Sequence, residues 1–318
     1  MTDHVVCPDI APTSPVKSAE SNAAEPNGPV SLADLVAVRP HRDEVFHGWC
    51  HAGAPGRVMG GQVAAQALAA AGATVDADRV AHSLHGYFLR EGRPDRAIEY
   101  RVSTVRDGRS YSARHVAAVQ DGAEIFVLTA SFVRAGTGPE RQLAAPAVPG
   151  PDTVPNVYDV WRSLHPEAHA QAVYVKAVEV RIAPLPTGPT APDPDGAVHQ
   201  DVWLRSRTPL PDDPLVQACA LTYLSDVTLA QSSAIEHDVM YPLRRERGHV
   251  ALASIDHALW FHRRLRADEW LHLRQTSSST GAGRGFNTGT FWDPNGVMVA
   301  SAAQESVVRL LPDSNHEK

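Results

Sequence analysis

The sequence predicts an α+β protein built from two tandem repeats, each an antiparallel sheet wrapped around one central helix. Three observations lead there. The landmarks YFLR, GRSY and TASFVR, at Arg90, Gly108 and Arg134, return as WFHR, GRGF and QESVVR at Arg263, Gly283 and Arg309. Arg109 to Arg134 and Arg284 to Arg309 are both 25 residues apart, and Arg90 to Arg109 is 19 against 21 for Arg263 to Arg284, so one unit is used twice. Each half also holds one nearly uncharged helical stretch, GQVAAQALAAAGA and LVQACALTYLSDV, apolar on most sides as a helix buried on most sides must be. Around them lie β-branched runs such as AIEYRVSTVRDG, AEIFVLTASFVR and GVMVASAAQESVVRL, separated by DG, NG and Gly-rich turns typical of antiparallel hairpins.

In chain order, residues 1–30 carry Pro, Ser, Asn and Glu with few large apolar side chains, and they are expected to form a disordered tail. The first domain spans 31–137, with VFHGWC leading to a helix that starts at Gly60 or Gly61. A Pro- and Gly-dense stretch from Arg134 to Asn156 predicts an interdomain linker, placed at 138–170. The second domain spans 171–312. Its helix has Asp212 and Asp213 at the cap and Pro214 at its first position, the residue types that helix starts favour. GAGRGF at Gly281 resembles a phosphate loop but sits between two β runs rather than before a helix, so a hairpin turn is expected.

Composition narrows the function classes. The 318 residues are 43% hydrophobic and carry a formal net charge of −7, which argues against wholesale nucleic-acid binding. No run approaches the apolar length of a membrane span, and the N-terminus lacks a signal-peptide layout. Three cysteines (Cys7, Cys50, Cys219) without CxxC spacing fit a reducing compartment, so the cytoplasm is expected. GxSxG, Walker A, HExxH and paired CxxC motifs are absent, and no cofactor is expected. His47, Cys50 and His51 could ligate a metal, but no fourth ligand accompanies them and a structural role is expected.

Three polar residues stand in apolar surroundings. Asp226 follows Leu215, Cys219 and Thr222 by 11, 7 and 4 residues, on one helix face, where a carboxylate is costly unless paired. It could instead only end the helix. Gln304 alternates with Met298, Ala300, Ala302 and Val308 on an apolar strand face, and its amide needs partners there. Ser254 shares a strand face with Val250, Leu252 and Asp256. The three could converge to hold one water.

The segments RVMGGQVAAQAL (57–68), HSLHGYFLREG (82–92), RDGRSYSARHVAAVQDG (106–122), SIDHALWFHR (254–263) and VASAAQESVVR (299–309) resemble the type II acyl-CoA thioesterases over about residues 30–312. The resemblance implies a double hotdog fold, hydrolysis of fatty acyl-CoA to fatty acid and CoA, and a catalytic set of Asp226, Ser254 and Gln304. Ser254 stands where the commonest form of the pattern has Thr, keeping the hydroxyl and losing the methyl that restricts its rotamer. A thioester releases a thiolate that needs little protonation help, so Asp226 can act as general base toward a water held by Ser254 and Gln304. Backbone N–H groups at Gly60 and Gly61 are candidates for the oxyanion, although those glycines could serve packing alone. CoA brings phosphates, and Arg90/Arg93/Arg96, Arg244/Arg245/Arg247 and Arg263/Arg264/Arg266 are local basic clusters, none singled out by sequence. Two readings compete: a non-catalytic acyl-CoA binding protein, which needs none of the three polar groups, and a hotdog hydratase, which would want a His shortly after the Asp where DVTLAQ has none. Sheet edges in such double units commonly assemble further, so a homo-oligomer is expected.

Overall fold

The computed structural model describes residues 30–54, 56–184, 191–236 and 250–311. The expected N-terminal tail and the Arg244/Arg245/Arg247 cluster lie outside them. The first repeat runs α1 (Leu32–Val36), β1 (Arg39–Arg42), β2 (Val45–Gly48), a small hairpin β3 (Ala52–Ala54) and β4 (Arg57–Val58), the central helix α2 (Gly60–Gly72), then β5 (Arg79–Phe88), β6 (Ile98–Asp107), β7 (Tyr111–Gln120) and β8 (Ala123–Arg134). A connector carries α3 (Val157–Leu164), α4 (Pro166–Gln171) and α5 (Tyr174–Ala177). The second repeat runs β9 (Val178–Ala183), β10 (Val198–Ser206), the central helix α6 (Pro214–Ser225), β11 (Val250–Ser254), β12 (Asp256–Phe261), β13 (Leu271–Gly281), β14 (Arg284–Trp292) and β15 (Met298–Leu310).

The two repeats have one strand order. β2-β6-β7-β8-β5 in the first corresponds to β10-β13-β14-β15-β12 in the second, with β11 also paired to β15. They join edge to edge where β5 meets β12 antiparallel, Gly86 opposite His257 and Leu84 opposite Leu259, so a single sheet wraps both central helices: a double hotdog. Gly122 and Gly283 supply the second positive φ of the two tight turns, preceded by Asp121 in one and by a less usual Ala282 in the other. Asp121-Gly122 between β7 and β8, and Ala282-Gly283 between β13 and β14, are two-residue loops with both φ angles positive. The GAGRGF segment is thus a hairpin turn.

Both central helices are apolar nearly all round, and nearly all of each is buried. Asp213 caps α6, its carboxylate accepting from the N–H of Leu215 at 2.7 Å and of Val216 at 3.4 Å, with Pro214 at the first position. The helices pack antiparallel. A Cβ on Gly72 would fall 2.4 Å from Leu215, near the start of α6, and one on Gly61 would fall 2.8 Å from the Cβ of Asp226, just past its end. The start of α2 therefore lies against the end of α6.

The segment expected as a plain linker is partly helical. Asn156 caps α3 by accepting from Tyr158 N–H at 2.9 Å, and Val157, Tyr158 and Trp161 point into the core, with Trp161 1% exposed. Upstream, the chain lies along the second repeat, where the indole N–H groups of Trp203 and Trp292 donate to the carbonyls of Pro149 and Leu143. Proline density argues for a linker, but the apolar spacing at 157, 158 and 161 is a short helix face that burial rewards.

Two strand registers also depart from expectation. Ala300, Ala302, Gln304, Ser306 and Val308 are buried in alternation, but Met298 is not among them: the pairing with β14 slips between Phe291 and Trp292, and Val299 turns inward instead. Ile255 lies outside both β11 and β12, so the inward face passes from Leu252 and Ser254 to His257 and Leu259. Asp256 consequently leaves the face of Ser254 and accepts from the N–H of Glu305 at 2.7 Å.

Burial of neutral histidines makes the fold acid-sensitive. His257, 1% exposed, bonds Ser225 Oγ through Nε2 at 2.8 Å, and His51 Nε2 bonds the Tyr223 hydroxyl at 2.7 Å. Burial lowers the pKa of both below the ordinary 6.5. Between the lowered folded value and 6.5 the unfolded chain binds protons that the folded chain refuses, so stability is complete above about pH 6.5 and falls as pH drops through that window. Thermal melts should therefore show Tm declining from about pH 7 to about pH 5. His257→Gln should flatten that slope whatever its effect on Tm at neutral pH. An unchanged slope would mean that His257 does not contribute to it.

Candidate active site

A cavity of about 420 Å³ opens at the seam between the repeats. Its walls come from the start of α2 (Met59, Gly60, Val63), the segment after β5 (Phe88–Gly92), the connector (Val157, Tyr158, Tyr174) and, from the second repeat, Asp226, Thr228, Leu252 and Ser254. Asp226 and Ser254 both reach it because α6 ends, and β11 ends, at the same seam.

The three polar residues expected to converge do so. Gln304 Nε2 donates to Asp226 Oδ1 at 2.6 Å, a short charge-assisted bond, and Ser254 Oγ donates to the same oxygen at 3.4 Å. Asp226 does end its helix, as the C-cap of α6, and in doing so sends its carboxylate into this cluster. Gln304 is fully buried and stands behind Asp226 rather than on the cavity wall, so its amide N–H holds the carboxylate, while its Oε1, buried, has no partner among the described residues. A Gln kept in that state is costly, as functional sites often are. Around the cluster, Ser225 Oγ donates to Thr222 O at 2.9 Å and meets His257 Nε2, which holds the last turn of α6 against β12.

The start of α2 supplies the complementary electrostatics. Met59 O already accepts from the N–H groups of Gln62 and Val63, and the N–H groups of Gly60 and Gly61, in the first turn, have no intrahelical acceptor. A Cβ on Gly60 would sit 3.1 Å from Asp226 Oδ2, so the glycines permit the approach of the two repeats and bring the start of α2 beside the carboxylate. The positive end of the α2 dipole thus faces a site where negative charge gathers.

Of the residues considered for a metal, Cys50 and His51 are committed elsewhere, whereas His47, with His41 and Glu99, is in a group whose ligand atoms all lie within 4.8 Å of one another. Cys50 Sγ donates to Gln66 Oε1 at 3.4 Å, and the two ring nitrogens of His51 meet Ala52 O and the Tyr223 hydroxyl. Burial pushes the Cys50 thiol up to about 12, so it is no thiolate ligand. His47 instead stacks on His41 at 4.1 Å between centroids, near Glu99, on the sheet edge.

Comparison with known proteins identifies the family and the fold. Residues 47–133 match the domain family described as acyl-CoA thioesterase N-terminal domain, and residues 143–308 match acyl-CoA thioesterase C-terminal domain. The chain belongs to the acyl-CoA thioesterase family. It is 31% identical to human acyl-coenzyme A thioesterase 8 over 91% of this chain and 92% of that protein, and 32% identical to acyl-CoA thioesterase 2 of Haemophilus influenzae over 88% and 97%. Among solved structures it is similar to the acyl-CoA thioesterase II TesB2 of Mycobacterium marinum, with 38% identity, coverage of 89% and 99%, and a TM-score of 0.72. A hot dog fold protein of unknown function from Alicyclobacillus acidocaldarius, at 20% identity, covers 88% and 98% with a TM-score of 0.69 and shares the fold.

Sequence reasoning missed the cavity walls supplied by Tyr158 and Tyr174, because both lie in the stretch read as linker or at its border. The signal was present in Asn156 as a cap and in the aromatic spacing of VYDVW. A sharp consequence follows for the seam. Gly61→Ala would put a methyl 2.8 Å from Asp226 Cβ and 2.9 Å from Tyr223 O, where backbone must move. The substitution should cost about 1–3 kcal/mol of stability in denaturant titrations and lower turnover as well. Wild-type stability and turnover would show that the helices are not in this contact.

Proposed function

We propose that this chain hydrolyses fatty acyl-CoA to fatty acid and CoA by general-base activation of a water, with Asp226 as the base and Ser254 and Gln304 as its positioning groups. The observation that carries the assignment is the convergence of two side chains, Ser254 and Gln304, from two strands, on one carboxylate oxygen of Asp226, at the helix end beside a cavity between the repeats. Domain boundaries at 31–137 and 171–312 accompany the reading, with all three residues in the second domain.

In the proposed reaction the thioester carbonyl lies beside Gly60, whose N–H and the dipole of α2 stabilise the oxyanion as it forms. A water in contact with Asp226 and Ser254 loses its proton to Asp226 as its oxygen bonds to the carbonyl carbon. Collapse of the tetrahedral intermediate breaks the carbon–sulfur bond and releases the thiolate of CoA, while the proton on Asp226 returns to thiolate or solvent. Gln304 keeps the carboxylate aimed at the water from behind.

A binding protein without catalysis would have no use for a buried Gln holding an acid at the cavity, which disfavours that alternative. The same reading places the enzyme in the cytoplasm, as a homo-oligomer active in lipid metabolism. It is supported by Cys50 and Cys219 being buried free thiols, by exposed apolar side chains such as Tyr87, Leu89 and Phe286, and by an open edge at β1. No helix among the described residues is long and apolar enough to cross a membrane.

Thiol release from palmitoyl-CoA tests the assignment. Asp226→Asn should lower kcat by about 10² or more while the melting transition stays cooperative, because Asn keeps the size but takes no proton. Undiminished turnover would remove Asp226 from the mechanism.

Ser254 is tested by two substitutions together. Ser254→Thr should keep activity, since the hydroxyl remains and the methyl suits a strand, whereas Ser254→Ala should cost about 1–3 kcal/mol of transition-state stabilisation. The opposite order would make Ser254 a space-filling residue.

A further inference from the structure

The phosphates of CoA need cationic partners, and the walls of the cavity offer two among the described residues, Arg57 and Arg90. The other basic residues near them in sequence are not on the cavity wall, Arg93 pairing with Asp95 and Arg96 with Asp121. Arg264 and Arg266 pair with Asp212, away from the cavity. Arg57 and Arg90 stand on neighbouring backbone, because Val58 N–H donates to Gly92 O at 2.9 Å and so ties β4 to the segment after β5. Each side chain is aimed by one anchor. Arg57 Nη1 lies 3.0 Å from Glu91 Oε1, and Arg90 Nη1 donates to Glu124 O at 2.7 Å.

A guanidinium presents a fork of several N–H donors, and one anchor leaves others to face the cavity. Arg57 is three residues from Gly60, at most roughly 11 Å along the chain, and Gly60 lines the cavity with Asp226, so the thioester and the phosphates of one CoA molecule can be held by the same short stretch.

We propose that Arg57 and Arg90 form the pyrophosphate site for CoA, on the rim of the first repeat, with Glu91 as a competing anion that a bound phosphate displaces. The proposal rests on the acyl-CoA reading and adds the substrate's orientation: the nucleotide end is held by the first repeat and the scissile bond is attacked from the second. Glu91 is 71% exposed and can swing into water, so its displacement costs little.

The test compares decanoyl-CoA with S-decanoyl-N-acetylcysteamine, which keeps the thioester and lacks the phosphates, and measures Kd for free CoA by calorimetry. The double variant Arg57→Gln/Arg90→Gln should raise the KM of decanoyl-CoA and the Kd of CoA about tenfold or more, while the KM of the phosphate-free ester moves less than about twofold. Glu91→Gln should act in the opposite direction and lower the KM of decanoyl-CoA, a result that a merely structural role for the pair would not produce. Unchanged CoA affinity in the double variant, or an equal rise in KM for both esters, overturns the proposal. Loss of hydrolysis of both esters by the wild-type protein, with CoA binding intact and arginine-dependent, would instead overturn the thioesterase reading and leave this site standing.

Discussion

The contact between the start of α2 and the end of α6 is the constraint on which the rest of the structure depends. Two helices cross antiparallel at a distance that only glycine allows, with Gly61 against Asp226 at one end and Gly72 against Leu215 at the other. Their closeness lets one sheet wrap both, and fixes where each helix terminus emerges. The electropositive start of one repeat's helix therefore meets the acidic end of the other's, and the cavity forms at that meeting. A side chain at Gly61 would separate the repeats and the reacting groups together. Folding and chemistry share this contact, which ties stability and turnover to the same residue.

The two repeats are alike in topology and unlike in content. At the end of α6 stand Asp226, Gln304 and Ser254; at the corresponding end of α2 stands Thr74, bound by Arg114 through its hydroxyl and carbonyl at 2.9 Å. Arg114 also pairs with Asp107, and its side chain is 4% exposed. A buried guanidinium, bonded to Thr74 and paired with the half-exposed carboxylate of Asp107, holds that end of the molecule as structure. The acid is thus confined to one end of the helix pair, and the first repeat contributes through its helix start and its rim.

Much of this was legible in the sequence because it leaves a pattern. The repeat shows as equal spacings between arginines, the central helices as uncharged runs, and the hairpins as DG and Gly-rich turns. Asp226, Ser254 and Gln304 were visible for one reason: each is polar where periodicity demands an apolar residue. What stayed hidden depends on geometry that periodicity does not carry. The break at Ile255 and the slip at Val299 each alter one face by a single residue, and neither β-branched content nor alternation signals such a slip. The helices of the connector were masked by the prolines around them. The role of Gln304 was only half visible, since its burial could be read but its place behind Asp226 depends on how β15 packs against the end of α6.

That place has a consequence for how the site works. In the proposed mechanism a water bound only by surface groups would wander, and the carboxylate proposed to accept its proton would sample several rotamers in a cavity this size. Gln304 removes that freedom from behind with a 2.6 Å bond, leaving the cavity side of Asp226 open to water and thioester. The amide is costly to bury half-satisfied, and the surrounding strands hold it there through the alternation of β15, in which Ala302 and Ser306 flank it on the same face. The burial of Gln304 is therefore not incidental to the core. It converts the rigidity of a packed sheet into the orientation of one carboxylate, which is what the proposed general base requires.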